Sequence, residues 1–251
     1  MTQPLAGYWP LPRIIAHRGA SAAAPENTLA AIALAAGLGA RAVELDVTLS
    51  RDAVPVILHD DTLERTTDGA GPVAAVPYER LAQLDAGSWF SREFAGEKVP
   101  TLAEAAALIR ARFMAFNLEI KPSPGREAET AERALAVLAG VWPPDAPLVI
   151  SSASPASLAV ARDGAPRWQR GLIVDRVPRD WRARLAAQGC VSLHCSAAAA
   201  SPALVREVHA AGYRVLAWTV NRTGRARRLF ADGVDGIFTD QVAAMVASFA
   251  D

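Results

Sequence analysis

The sequence predicts an α/β fold in which eight parallel strands close into a single barrel, with an insertion after the second strand. Two observations carry this prediction. Apolar runs rich in β-branched residues alternate with alanine-rich helical stretches almost to the end of the chain, as in parallel sheets. The length of 251 residues is also close to that of one (β/α)8, or TIM, barrel. We therefore expect one domain over residues 1–251, without a linker between domains.

The predicted strands are short apolar segments that end at polar residues or turn signals. They cover residues 13–17, 42–47, 115–120, 148–151, 171–174, 191–194, 215–220 and 236–239. Alanine-rich stretches between them indicate helices, for example over 28–38, 102–112, 127–138, 202–211 and 224–232. The active site of such a barrel lies at the carboxyl ends of its strands, so side chains there are the first functional candidates.

The chain departs from regular alternation after the second strand. It turns near Asp52 and returns to His59. A hairpin centred between Asp52 and Ala53 would place His59 opposite Asp46, beside the ends of the other strands. Residues 60–100 then precede the next helix, and we expect this insertion to lie over the active-site face as a lid or substrate collar.

Three carboxylates stand at the ends of two predicted strands. Glu44 and Asp46 share one face of the second strand because side chains alternate, and Glu119 shares a face with Lys121 on the next parallel strand. Neighbouring carboxylates repel unless a cation or a shared proton lies between them. An oxygen-only ligand set favours Mg²⁺ or Ca²⁺ over zinc. The alternative is a set of buried ion pairs with Arg18 and Lys121, although three acids exceed what such pairs need.

Composition argues against several classes of protein. Lys and Arg number 26 and so do Asp and Glu, which disfavours a general binder of nucleic acid or acidic membranes. No run approaches the ~20 apolar residues of a transmembrane helix. Residues 1–12 lack the regions of a secretory signal, and their prolines indicate an extended lead-in. Cys190 and Cys195 would lie about 16 Å apart on one strand, so we expect reduced thiols and a cytoplasmic location.

Seven motifs match a known family in that family's order. They are His17-Arg18-Gly19, Pro25-Glu26-Asn27-Thr28, Glu44-Leu45-Asp46, His59-Asp60, Asn117-Leu118-Glu119-Ile120-Lys121, Trp218-Thr219-Val220-Asn221 and Gly233-Val234-Asp235-Gly236-Ile237-Phe238-Thr239-Asp240. The chain resembles the glycerophosphodiester phosphodiesterases of the bacterial cytosolic type, within the phosphatidylinositol-phospholipase-C-like barrels. The resemblance implies metal-dependent hydrolysis of glycerophosphodiesters to sn-glycerol 3-phosphate and an alcohol. At the hairpin turn, Ala53 stands where the family commonly has glycine.

The resemblance and the chemistry of the residues imply the same roles. His17 and His59 would transfer protons, since imidazole titrates near neutral pH, whereas a lone histidine is more often a structural group. Arg18 and Lys121 would bind the phosphoryl oxygens. The 2-hydroxyl of glycerol can attack phosphorus internally, and we prefer this route to direct attack by water because it positions the nucleophile.

Aromatic and histidine side chains near the strand ends are predicted to contact substrate. They are Trp218, His194 at the rim of the barrel, and Trp89 and Phe90 from the insertion. Core packing is the competing interpretation for each aromatic residue.

Polar residues at the starts of helices carry weaker signals. Asn27 or Thr28 is predicted to cap the first helix and Asp240 the last. Glu26 either begins the first helix or supports the site from behind, and the sequence favours neither.

Two other functions stay open. A metal-dependent phospholipase acting on intact lipids would need an apolar rim or an anchor, and the sequence contains no amphipathic basic helix. A non-catalytic barrel that binds phosphodiesters would be expected to lack a ligand or a histidine. We expect a small-molecule glycerophosphodiester as the partner, with no nucleic acid and no stable membrane association. A homo-oligomer is compatible with the sequence.

Overall fold

The computed structural model describes residues 9–249, and within them eight parallel strands close into a barrel. The strands are β1 (Ile14–His17), β2 (Ala42–Leu49), β3 (Pro55–Ile57), β4 (Ala115–Ile120), β5 (Leu148–Ser152), β6 (Gln169–Val174), β7 (Ser192–Ser196), β8 (Arg214–Trp218) and β9 (Gly236–Thr239). Strand β1 pairs with both β2 and β9, which closes the ring, while β3 is antiparallel to β2. The (β/α)8 barrel predicted from the sequence is confirmed.

Helices alternate with the strands over the described residues. They are α1 (Leu29–Gly37), α2 (Tyr78–Leu81), α3 (Leu102–Ala111), α4 (Glu127–Val141), α5 (Pro155–Gly164), α6 (Trp181–Gln188), α7 (Pro202–Ala210), α8 (Thr223–Ala231) and α9 (Val242–Phe249). Helix α1 begins after Thr28, whose hydroxyl accepts a hydrogen bond from the Ala31 amide, so Thr28 rather than Asn27 is its cap. Between residues 9 and 249, every helix is too short or too polar to span a bilayer.

Alternation along each strand divides the side chains between the surrounding helices and the interior of the barrel. Leu45 and Leu118 pack outwards with helix residues such as Ile32. The inward positions at the amino-terminal end form one apolar layer, made of Leu11, Ile15, Ala42, Ala115, Val149, Leu216 and Phe238. The next inward positions on β2 and β4 are Glu44 and Asn117. The apolar layer therefore forms a base beneath a polar layer at the carboxyl ends.

The hairpin between β2 and β3 has a different register from the predicted one. Val47 pairs with Ile57, and the Leu58 amide donates to the Asp46 carbonyl at 3.0 Å, so Leu58 and not His59 lies opposite Asp46. The predicted centre was wrong because Ser50 still pairs with Val54, which leaves a loop of three residues, 51–53, rather than two. Its last residue, Ala53, has a φ of 61°, the left-handed conformation that closes three-residue hairpin loops.

Residues 60–100 share a small apolar core with the end of the hairpin. It comprises Val56, Leu58, Leu63, Val73, Leu81, Ala86 and Val99. Helix α2 and two short 3-10 turns, Val73–Ala75 and Arg92–Phe94, make up its regular structure. This core holds the segment against the hairpin that carries His59.

Two further predictions concern the cysteines and the start of the chain. Cys190 and Cys195 are both buried and unpaired, as expected. The predicted extended lead-in lies largely outside the described residues, which begin at Trp9.

Candidate active site

The three predicted carboxylates converge inside the barrel at the carboxyl ends of β2 and β4. Asp46 is in register with Glu119 on the neighbouring strand, and Glu44 lies one inward position earlier. Glu44, Asp46 and Glu119 each offer an oxygen atom, and these atoms lie within 4.8 Å of one another. Glu44 and Asp46 are only 3% and 1% exposed. The sequence prediction that these side chains come together therefore matches the geometry.

Burial makes negative charge unfavourable in this cluster. It raises the pKa of Glu44 well above the ordinary value, with further contributions from Asp46 and Glu119. Burial and Asp46 together raise the pKa of Glu119 to about 8. Within the described residues, the buried Oε1 atom of Glu44 has no hydrogen-bond partner. An oxygen-only set with an unpartnered acceptor and mutual repulsion fits a hard divalent cation.

Arg18 contacts the cluster through both its backbone and its side chain. Its φ of 55° turns the amide towards Glu44 Oε2, to which it donates at 3.0 Å. The guanidinium donates to Glu26 at 2.8 Å and lies 3.3 Å from Asp46 Oδ2. Gly19 follows with a φ of 84°, and a Cβ there would lie 2.7 Å from the backbone of Ala31. Glycine is therefore required for α1 to pack this closely behind Arg18.

Asn27 orients Asp46 and does not cap the helix. Its Nδ2 atom donates to Asp46 Oδ2 at 2.9 Å, and its Oδ1 atom accepts from the Asp46 amide at 3.3 Å. The backbone of Asn27 has a φ of 60°, a conformation that asparagine tolerates better than most residues. The buried amide of Asn27 thus holds both the backbone and one carboxylate oxygen of Asp46 in place.

His17 is oriented by an aspartate from the other end of the chain. Its Nδ1 atom lies 2.7 Å from Asp240 Oδ1, which also accepts from Ser21 Oγ at 2.9 Å. Asn221 donates to the second carboxylate oxygen at 2.6 Å. Burial alone would raise the pKa of Asp240, but His17 and the other donors lower it to about 2. The predicted capping role of Asp240 is therefore wrong, because its carboxylate is occupied by the imidazole.

His59 has a similar partner in its neighbour. Its Nδ1 atom lies 2.5 Å from Asp60 Oδ1, and its Nε2 atom contacts the Lys121 ammonium. Burial lowers the pKa of His59, and the positive charges of Arg18 and Lys121 add to this effect against the attraction of Asp46 and Asp60. Each predicted catalytic histidine thus has an aspartate at Nδ1.

One cavity of about 250 Å³ connects these groups. It is lined by His17, Arg18, Glu44, His59, Asn117, Glu119, Lys121, Ser151, Ala153, Ile173, Asp175, His194, Trp218 and Phe238. Of the nine residues predicted for the site from the strand ends and the hairpin, Asp46 alone does not line the cavity, and its carboxylate contacts Arg18.

His194 lies deeper than predicted. It is 1% exposed and forms part of the cavity floor rather than the rim, because its position on β7 points into the barrel. Its Nε2 atom is 2.9 Å from Ser192 Oγ, and Nδ1 has no partner within residues 9–249. Burial lowers its pKa to about 3. Gly171 makes room for the ring, since a Cβ there would overlap its Nε2 atom.

Trp218 lines the cavity, whereas the two aromatic residues of the insertion do not. The buried Nε1 atom of Trp218 has no partner among the described residues. Trp89 donates to the Ala86 carbonyl and packs edge-to-face on Phe90, which packs in turn on Phe94. Core packing within the insertion is therefore the interpretation that the contacts favour for Trp89 and Phe90.

Two residues of the site lie in motifs that match the family, but their roles there are not predicted from the sequence. Asn117 has no predicted role, although its Nδ2 atom donates to Ser151 Oγ at 2.9 Å and its Oδ1 atom is buried without a partner in the described chain. Asp240 was assigned to a helix. Its contact with His17 joins residues 223 positions apart, which no local pattern reveals.

A parallel α/β barrel with carboxylates, cationic side chains and aspartate-oriented histidines at its strand ends belongs to the barrel enzymes that act on anionic substrates. The model of the glycerophosphoryl diester phosphodiesterase family matches residues 17–244. The chain therefore belongs to this family, and it is a phosphodiesterase of the hydrolase class.

Individual relatives agree with this assignment. The chain is 37% identical over 232 residues to the glycerophosphodiester phosphodiesterase of Caldanaerobacter subterraneus subsp. tengcongensis, covering 90% of this chain and 93% of that protein. A phosphodiesterase of Oleispira antarctica, solved in complex with the product sn-glycerol-3-phosphate, has 43% identity and a TM-score of 0.93 over 95% of this chain and 96% of that one. A Silicibacter pomeroyi homologue has 28% identity and a TM-score of 0.85, covering 96% and 94% of the two chains.

Proposed function

We propose that the protein hydrolyses soluble glycerophosphodiesters to sn-glycerol 3-phosphate and an alcohol, by acid–base catalysis through His17 and His59 and with one divalent cation, Mg²⁺ or Ca²⁺. One observation carries this proposal. Two histidines, each with an aspartate at Nδ1, line the same cavity as Glu44 and Glu119 of the carboxylate cluster. The product-bound relative from Oleispira antarctica supports the choice of product.

Glu44, Asp46 and Glu119 would hold the cation. When bound, it would supply positive charge for the phosphoryl oxygens and lower the pKa of a nearby hydroxyl group. Arg18 and Lys121 add fixed positive charge at the same end of the cavity, and the Arg18 guanidinium suits two oxygens of one phosphate.

Protons move between the substrate and the two imidazoles. With Nδ1 directed at an aspartate, each histidine uses Nε2 for proton transfer. Nε2 of His59 lies against the Lys121 ammonium, which the bound phosphate would draw away. One imidazole accepts the proton of the attacking hydroxyl and the other donates a proton to the leaving alcohol. The lowered pKa of His59 keeps it neutral, which suits the accepting role. Their roles are reversed in a second half-reaction.

The attacking group in this proposal is the glycerol 2-hydroxyl. It lies next to the phosphate in the substrate, so its attack needs no second molecule and forms a cyclic glycerophosphate that water then opens. A 2-deoxy analogue is therefore expected to bind without turnover. Rapid hydrolysis of that analogue, with no cyclic species detected from the natural substrate, would instead support direct attack by water.

The cavity floor suits a polyol. Three buried polar atoms there lack partners within the described residues, namely His194 Nδ1, Asn117 Oδ1 and Trp218 Nε1. An unsatisfied buried polar group costs about 1–3 kcal/mol, so hydroxyl groups that satisfy these atoms would bind favourably. The apolar rings of Trp218 and Phe238 beside them suit the carbon chain of glycerol.

Release of sn-glycerol 3-phosphate from glycerophosphocholine tests the proposal. We expect turnover to stop in EDTA and to return with Mg²⁺ or Ca²⁺, and His17→Gln and His59→Gln to be inactive. His209→Gln is a matched control, since His209 also pairs with an aspartate, Asp235, at 2.8 Å but lies outside the cavity. Activity in EDTA, or in either of the two histidine variants, would contradict the proposal, and hydrolysis restricted to intact phospholipids would favour a phospholipase.

A further inference from the structure

Arg65 lies in the segment that follows the hairpin and bonds to two carboxylates at once. Its Nε and Nη2 atoms donate to Asp60 at 2.6 and 2.9 Å. Its Nη1 and Nη2 atoms donate to Glu26 at 2.8 Å each. The side chain is 44% exposed, so the guanidinium reaches this position from solvent. All three nitrogen atoms of the guanidinium thus donate hydrogen bonds to two acids from different parts of the chain.

Each of these acids holds a different residue of the candidate active site. Glu26 Oε1 also accepts from Arg18 Nη1 at 2.8 Å, and Asp60 Oδ1 lies 2.5 Å from His59 Nδ1. The Arg65 guanidinium therefore links Glu26, the partner of Arg18, to Asp60, the partner of His59. Glu26 stands before α1 and Asp60 follows the hairpin, and Arg65 joins these two separate parts of the chain.

Both acids are charged in this arrangement. Burial would raise the pKa of Glu26, but Arg65 and Arg18 lower it to about 2. Hydrogen bonding from Arg65 and His59 also holds the pKa of Asp60 below its ordinary range. Without Arg65, Glu26 would keep only Arg18 as a partner and Asp60 would keep only His59. Nothing would then join the two negatively charged acids. The acids would then be free to reorient, together with the side chains they hold.

An exposed ion pair alone would contribute little. Such pairs add about 0–1 kcal/mol to stability, so an exposed ion pair by itself gives Arg65 no special role. Two features set it apart, namely the bidentate contact with each acid and the attachment of each acid to a cavity residue. Lysine could supply the charge but not four directed hydrogen bonds.

We propose that Arg65 is a positioning residue that fixes the separation of Arg18 and His59, and so the placement of the phosphate against the imidazole. This inference rests on the proposed roles of Arg18 and His59. Arg65 does not line the cavity and takes no part in proton transfer. It acts by holding Glu26 and Asp60 at a constant distance.

The test compares Arg65→Ala and Arg65→Lys with Arg162→Ala. Arg162 is a matched control, because it is 40% exposed and makes a bidentate contact with one carboxylate, that of Asp163, while its Nη1 atom donates to the Ala187 carbonyl. We expect Arg65→Ala to lower kcat for glycerophosphocholine by about 10- to 100-fold with a smaller change in KM, as for other residues that orient a catalytic group. Arg65→Lys should lie between this variant and the wild type, and Arg162→Ala should match the wild type.

Chemical rescue separates positioning from a general effect on stability. Millimolar guanidinium chloride should restore part of kcat in Arg65→Ala, whereas KCl at the same ionic strength should not. The double variant of Arg65→Ala and Asp60→Asn should lose less kcat than the two single variants together predict, because both changes act on His59. If Arg65→Ala does not fold, Arg65→Lys carries the test through its loss of kcat at an unchanged Tm.

A wild-type kcat in Arg65→Ala would overturn the inference if His59→Gln is inactive. The same holds for Arg65→Lys if that variant has to replace Arg65→Ala. Equal rescue by KCl would overturn it too. Full activity in His59→Gln would instead contradict the proposed function, which distinguishes the two failures.

Discussion

Among single residues, the buried acids of β2 and β4 show most directly what the site requires. Three carboxylates with oxygen atoms within 4.8 Å of one another would destabilise the barrel if all were charged and nothing positive lay between them. The raised pKa values of Glu44 and Glu119 reflect this repulsion and the burial of both groups.

Glu44→Gln is expected to weaken the binding of Mg²⁺ and Ca²⁺ and to lower turnover by about 100-fold or more, because a ligand charge is lost. Without metal its Tm should equal or exceed that of the wild type, since an amide relieves repulsion at the same volume. Titration calorimetry and thermal unfolding in EDTA measure both effects. Glu129→Gln, which loses an exposed partner of Arg126, serves as the control. Wild-type metal affinity in Glu44→Gln would disprove the three-carboxylate site.

His194 links stability to pH. Its pKa is about 3 in the folded protein, against 6.5 for an exposed histidine, because burial disfavours the imidazolium. Between these values the unfolded state binds more protons, so the free energy of unfolding falls as the pH is lowered from about 6.5 towards about 3. One proton contributes at most about 1.4 kcal/mol per pH unit.

His194→Gln should therefore lose part of this acid sensitivity, as measured by urea unfolding at several pH values between about 4 and 7. Gln83→Ala removes an exposed side chain that does not titrate and should keep the wild-type slope. An identical slope in His194→Gln and the wild type would show that the imidazole is not held neutral.

Among the elements, the strands could be predicted well and the hairpin less well. A strand whose two faces are both packed is a short run of apolar, often β-branched residues, which is easily recognised in the sequence. Strand β4 accordingly begins and ends where expected. The register of β2 and β3 depended on one loop residue. Alanine rarely adopts a positive φ, so the sequence did not indicate that Ala53 would close a three-residue loop.

Ala53→Gly should stabilise the protein by about 0.5–1 kcal/mol. Glycine adopts a φ of 61° without the steric cost of a Cβ, although it loses more conformational entropy on folding. Urea unfolding measures the gain. Ala75→Gly, in the 3-10 turn Val73–Ala75, is the control and should be neutral or destabilising. A lower stability for Ala53→Gly would show that the turn does not strain alanine.

At the scale of the whole molecule, closure of the barrel completes the site. The sequence predicted the carboxylates, because each lies at the end of a strand that could be identified. It did not predict the pairing of His17 with Asp240, which arises only when β1 and β9 meet, as Ala16 and Thr239 do. The link made by Arg65 could not be predicted for a related reason, since its two partners come from separate parts of the chain.

Asp240→Asn should lower kcat by about 100-fold or more, because an amide no longer favours the Nδ1–H form of His17 and no longer supports its charge. Asp235→Asn is the control, since that aspartate pairs with His209 at 2.8 Å away from the cavity. Steady-state rates together with Tm values measure the effect. Equal rates for Asp240→Asn and the wild type would mean that His17 does not need its aspartate.

The pairing of the first and last strands also has a consequence for synthesis. The ribosome makes His17, the carboxylates and His59 early, and each of these lies within residues 17–119. Asp240, Asn221 and the whole of β9 emerge much later. A nascent chain that ends before residue 236 therefore already has its three acids but lacks the partner that orients its first histidine. On the mechanism proposed above, chemistry would begin only after the strand that completes the ring has been translated, and an interrupted chain would be inert towards phosphodiesters.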